Sequence, residues 1–192
     1  VAVWVGAAPD AAALGVLGEF GAATLLVADA DGITASPVAP VADALAAAVA
    51  QSSPAAVLVA STAEGKEAAG RLALKIGGGI ITDAVDVSAD LVATQSVFGG
   101  STVVHSKVSN GTPVITVRGN SIAPEAAATS CSASPLAVTL SSSSTLAKIT
   151  GSTVAAKGGR PELTEASIVV SGGRGVGSAE GLDRKSTRLN SS

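Results

Sequence analysis

Over its first 80 residues the chain repeats a two-part rhythm, a short unbroken aliphatic run followed by a longer stretch whose apolar residues recur every three or four positions. VAVWV (1–5), ATLLVAD (23–29) and AAVLVA (55–60) are runs of the first kind. Continuous branched runs bounded by turn residues predict strands buried on both faces. APDAAALGVLGEFG predicts a helix between the first two runs, although three glycines weaken it. A second helix is predicted from Pro40 to Gln51, where serines and Pro54 stop it. The third, STAEGKEAAGRLALKIGGG, carries the clearest local signals. Ser61 stands three residues before Glu64, as in a capping box, with Thr62 a competing cap. Ala68, Leu72 and Ile76 share one stripe, and Gly77 to Gly79 offer the positive φ that ends a helix. Strand–helix alternation of this kind predicts an α/β fold, a mostly parallel sheet flanked by helices.

From Ile80 the rhythm changes. IITDAVDV, LVATQSVFGG, STVVHSKVS, TPVITVRG and PLAVTL are short β-rich runs with hardly room for helices between them. They predict extra strands, with β-hairpins turning at Gly99–Gly100 and at Asn110–Gly111. Residues 119–135 lack apolar periodicity and read as a surface loop, and residues 141–163 hold at most a short strand near Leu146–Ile149 before a linker ending at Gly158–Pro161. ASIVVSGG (166–173) then opens a new buried strand that leads into a glycine loop. The expected organisation is an amino-terminal α/β domain over 1–160, the start of a second domain over 161–182, and a tail over 183–192. DRKSTRLNSS in that tail is polar and basic, unlike the rest, and looks like translated sequencing adapter, so it stays out of fold reasoning.

Composition narrows the picture. Apolar residues make up 47% of the 192 positions and charged residues 14%, enough for one sizeable core. Trp4, Phe20 and Phe98 are the only aromatic rings besides His105, so the core must be filled by Val, Ala, Leu and Ile. The formal charge of −3 becomes −5 without the tail, which argues against nucleic acid as a partner. Cys131 is the single cysteine and excludes an intrachain disulfide or a cysteine-built metal site. No apolar stretch is long enough to predict a transmembrane segment.

The candidate chemistry is sparse. Gly172-Gly173-Arg174-Gly175-Val176-Gly177 sits at the expected carboxyl end of a strand. Backbone amides without β-carbons, with Arg174 as a fork of donors, suit a phosphate, a pyrophosphate or a flavin, and they equally suit a tight structural turn. Ser178 stands where the dinucleotide fingerprint requires its third glycine, which counts against an NAD-dependent dehydrogenase fragment. Glu64, Lys66, Glu67 and Arg71 form a charged helix face in which Glu67 and Arg71 pair at i,i+4. Asp83 and Asp86 are too few for a metal site, and turn formation and exposure are expected of them. His105 reads as an edge or surface imidazole rather than a general base, and Arg118 as a capping or interface residue. No catalytic residue is assigned.

Three stretches carry a family resemblance: TAEGKEAAGRLALKIGGGIITDAVDV, SVFGGSTVVHSKVSNGTPVITVRGN and RPELTEASIVVSGGRGVGSAEGL. Residues 1–182 resemble the amino-terminal part of the electron transfer flavoprotein alpha subunit, its actinobacterial members above all. The resemblance implies an amino-terminal domain of adenine-nucleotide hydrolase-like fold, then a domain holding most of the FAD. It also implies a heterodimer with a beta subunit that binds AMP. Such a complex carries electrons from acyl-CoA and related dehydrogenases to a membrane quinone oxidoreductase, in this case in a bacterial cytoplasm. The family's VSGGRG arginine contacts FAD, and Arg174 matches it, with Gly172, Gly173 and Gly175 as loop-formers. The family's further flavin-cradling segments are not among these residues, so weak or absent FAD binding is expected of this chain. Its opening strand and helix would precede Val1, so a sheet edge is expected to be exposed. The competing reading is a standalone nucleotide-binding or dimerising α/β module without redox function.

Overall fold

A computed structural model describes residues 1–153 together with Ile168, Val169, Ser171, Gly175 and Gly177. The chain divides into two compact units, Val1–Ser152 and Thr153–Ser192. In the first, β1 (Ala2–Val5), α1 (Ala11–Glu19), β2 (Thr24–Ala28), α2 (Ala39–Ser52), β3 (Val57–Ala60) and α3 (Ala63–Ile76) alternate as expected. The strands β4 (Ile80–Val87), β5 (Ala93–Val97), β6 (Thr102–Ser106), β7 (Val114–Val117) and β8 (Ser132–Pro135) follow.

Side chains cap the starts of α1 and α3, and a glycine stops α3. Asp10 accepts from the Ala13 N–H to start α1, and Thr62 accepts from the Gly65 N–H at 2.9 Å to start α3. Thr62, not Ser61, is therefore the cap; the Ser61 hydroxyl is used elsewhere. Gly77 closes α3 at φ +63, in the left-handed region. Gly65 is required for a different reason: a β-carbon there would stand 2.0 Å from the Ala60 carbonyl oxygen, so only glycine lets the first turn of α3 lie against the end of β3.

The strands form two sheets. One has the order β1-β2-β8, all parallel. The other has the order β3-β7-β4-β5-β6, with β3, β7 and β4 parallel and β4, β5 and β6 an antiparallel meander. The predicted turn at Gly99–Gly100 does join a hairpin, β5 to β6. The second hairpin turns at residues 88–92 rather than at Asn110–Gly111. After β6 the chain crosses into the sheet, and β7 threads between β3 and β4 because its VITV side chains are apolar on one face and fully buried at the first three positions.

Three further expectations fail, the first being a strand over PLAVTL: pairing with β2 ends at Pro135, and residues 136–140 form no strand. Residues 132–135 are a strand on the edge of β2 and not part of a loop, since a serine-rich edge strand needs backbone pairing and no apolar period. Near Leu146–Ile149 no strand forms among the described residues: a single 3-10 turn runs from Ser142 to Thr145, and both apolar side chains are exposed.

Small aliphatic residues fill three clusters. Leu26, Ala28 and Ile33 pack on Ala44 and Ala48 of α2. Ala69, Leu72 and Ala73 of α3 pack on Val114, with Leu45 and Val49 of α2 alongside. Ile81, Ala84, Ala93 and Ile115 fill a third cluster. Helix α2 thus contributes one stripe to each of the first two clusters and spans both sheets.

Candidate functional site

Polar side chains converge where β3, β4 and β7 meet the first turn of α3. Asp83 lies within β4, not in a turn after it, and its φ of +59 is uncommon for a residue with a β-carbon. The cause is a bulge: the pairing of β4 with β7 shifts register between Ile81 and Ala84, and its pairing with β5 shifts between Ala84 and Asp86. The bulge turns the Asp83 carboxylate toward Ser61 and Lys66. Ser61 donates its hydroxyl to Asp83 Oδ1 at 2.7 Å, and Lys66 Nζ approaches the same oxygen at 3.2 Å. The Asp83 N–H donates to Thr116 Oγ1 at 3.0 Å, and that hydroxyl also meets Ser61 Oγ at 3.0 Å. Thr116 is fully buried in β7, so this pairing satisfies a hydroxyl that would otherwise be costly. The Ser61 hydrogen bond first, then Lys66 and more distantly Arg118, hold the Asp83 carboxyl below its ordinary range.

A second carboxylate is placed deeper. Asp43 of α2 is buried and receives the Ser141 N–H at 2.9 Å, the Ser141 hydroxyl at 3.1 Å, the Ser144 hydroxyl, and Lys75 Nζ of α3 at 2.6 Å. Burial alone would raise its pKa, but Lys75 and the two serines outweigh that and lower it to about 2. This node ties α2 and α3 to a segment about 100 residues downstream.

Neither node was legible as a site. Each had a faint signal: a threonine inside the otherwise aliphatic VITV, an aspartate inside IITDAV, and another inside ADALAAAV facing a serine run. Of the residues singled out from the sequence, the structure brings Lys66 and Asp83 together and leaves Asp86 exposed. Glu67 and Arg71 pair at 2.7 Å as expected. His105 is an exposed edge imidazole whose Nδ1 lies 3.2 Å from Thr94 Oγ1. Arg118 donates to the Ser96 carbonyl at 3.3 Å, bracing β7 against β5. Gly172, Gly173 and Arg174 lie outside the described residues; Gly175 is exposed, with open space where a β-carbon would stand.

Two cavities among the described residues, of about 510 and 400 Å³, do not fit a flavin dinucleotide: both are walled chiefly by aliphatic side chains and offer no cationic side chain to a pyrophosphate. No group of three or more metal-ligating side chains occurs among the described residues. No described helix is long and apolar enough to cross a membrane.

The fold and its two carboxylate nodes define a largely parallel α/β domain flanked by helices, with polar groups spent on holding elements together. The electron transfer flavoprotein domain family matches residues 1–143, and the chain belongs to that family. It is 46% identical over 161 residues to the electron transfer flavoprotein subunit alpha of Mycobacterium leprae (strain TN), covering 83% of this chain and 50% of that protein. Identity to the subunit alpha of Bacillus subtilis (strain 168) is 34% over 137 residues, covering 69% of this chain and 41% of that protein. The chain spans about half the length of the curated relatives it matches.

Proposed function

We propose that the chain is the amino-terminal part of the alpha subunit of an FAD-containing electron carrier. In the proposed cycle the complex takes electrons from acyl-CoA and related dehydrogenases and passes them to a membrane quinone oxidoreductase, in a bacterial cytoplasm and as a heterodimer with a beta subunit. The carrying observation is the family match over residues 1–143 together with alpha-subunit relatives at 46% identity across most of the chain. Electrons travel on the flavin, and the polypeptide contributes binding and orientation. The described domain is then a scaffold, and the contact to FAD falls to Arg174 with Gly172, Gly173 and Gly175. A lone loop buries little of so large a ligand, so FAD binding by this chain is weak or absent.

The test mixes the chain with purified beta subunit and FAD and follows co-elution and flavin fluorescence. Co-elution with the beta subunit is expected, and any saturable flavin signal should weaken in Arg174→Ala. A folded chain that fails to co-elute would sink the subunit reading.

A further inference from the structure

Between Leu140 and Thr153 the chain lies on the α/β domain with little to hold it there. Leu136 is buried, and Val138 and Leu140 pack on the cluster around Leu26 and Ala44. From residue 141 to residue 152 the only buried residue is Ser144. The two large apolar side chains of this stretch, Leu146 and Ile149, are 82% and 51% exposed. What ties it to the domain is polar. Asp43 takes the Ser141 N–H at 2.9 Å and the hydroxyls of Ser141 and Ser144, and the Ile149 N–H reaches the Ala35 carbonyl at 2.9 Å. Ordering such a length of backbone is costly, and little apolar surface is buried in return, so the stretch belongs at the low end of the domain's local stability.

The clasp is also built so that it can open. Lys75 Nζ, 2.6 Å from Asp43, comes from α3 and not from the stretch itself. When the serines leave, the carboxylate keeps its counter-charge and water takes the vacated positions, so no unpaired buried charge is created. The Ser141 and Ser144 hydroxyls pass to solvent in the same movement.

We propose that residues 141–152 are a releasable strap, clasped to α2 by Asp43 and hinged after Leu140, which detaches as one unit while both sheets stay folded. No described residue after Pro135 belongs to either sheet, so release asks nothing of them. The first compact unit ends at Ser152, which makes the strap its last piece before the unit Thr153–Ser192. Clasped, it fixes the point from which the chain leaves the domain. Released, it adds up to about 40 Å of extended chain to that tether.

Native-state hydrogen exchange on the full chain tests this. The Ser144 amide, bonded to the Ser141 carbonyl, and the Ile149 amide report on the strap, and the Val114 amide, bonded to the Gly79 carbonyl, reports on the sheet. Protection at Ser144 and Ile149 is expected to be at least about tenfold lower than at Val114 and indifferent to low urea, which should erode only the Val114 value. Asp43→Ala should abolish protection at both strap amides and leave Val114 protected. Ser144→Ala keeps Asp43 and Lys75 in place, yet it should lower protection at Ile149, in the same strap, about tenfold. Strap amides that share the protection and the urea dependence of Val114 would overturn the proposal. So would an Ile149 amide still protected in Asp43→Ala or unchanged in Ser144→Ala.

Discussion

Asp43 and Asp83 are assembled from the same parts, a carboxylate, serine hydroxyls and one lysine, in opposite settings. The Asp43 side chain is 6% exposed and its partners come from two regions distant in sequence, α3 and residues 141–144; the Asp83 and Lys66 side chains are 37% and 41% exposed, at the rim of one sheet. Water competes for the second node and is shut out of most of the first. The first is therefore a tertiary lock, and the second a local brace that holds a bulge in register.

The sharpest way to break this contrast is to remove each carboxylate. Asp43→Ala removes the acceptor shared by the Ser144 hydroxyl, the Ser141 N–H and Lys75, and a loss of about 3 kcal/mol is expected in denaturant unfolding. Asp83→Asn tolerates the positive φ and leaves Ser61 and Thr116 paired, so at most about 1 kcal/mol should go. Equal losses would refute the distinction between lock and brace.

Acid should separate the nodes next. The Asp43 carboxyl is held at about 2 against an ordinary 3.8, so between those values the unfolded chain binds more protons than the folded one. Its contribution is complete above the ordinary value and is lost as pH falls through about 2, amounting to about 2 kcal/mol. The acid limb of a stability-against-pH curve should flatten in Asp43→Ala. The Asp83 shift has the same sign but belongs to a part-exposed pair, so Asp83→Asn should leave that limb nearly unchanged.

How far the sequence carried explains why both nodes were missed. Periodicity located β1 to β3 and α1 to α3, because a buried strand and an amphipathic helix each write their burial into neighbouring residues. It did not locate β8, whose SASP is held by pairing with β2, nor the crossing of β7 between β3 and β4, which depends on partners 30 to 60 residues away. The nodes fail for the same reason. Ser141 reaches Asp43 across 98 residues, and Ser61 reaches Asp83 across 22. The Glu67–Arg71 pair was legible because its whole cause lies within one helical turn.

At the first turn of α3 the contrast can be drawn between adjacent residues. Thr62→Ala removes the cap on the Gly65 N–H and should cost about 1 kcal/mol. Ser61→Ala leaves the cap intact and removes the strongest contact on Asp83, so the Asp83 carboxyl should titrate closer to its ordinary range, visible by NMR. Were Ser61→Ala to unravel the start of α3 while Thr62→Ala did not, the roles assigned to the two hydroxyls would be reversed.

The smallest effect calibrates the others. Glu67 and Arg71 make a two-pronged pair with both side chains half exposed, one turn apart on a helix that already has its cap and its glycine stop. Nothing else depends on either charge, so a double-mutant cycle should return about 0.3 to 0.5 kcal/mol. Raising the salt concentration should shrink that coupling, because screening reaches a surface pair fully, and should scarcely touch the Asp43 contribution. A coupling energy for Glu67–Arg71 as large as the loss in Asp43→Ala would mean that burial is not what sets the two nodes apart.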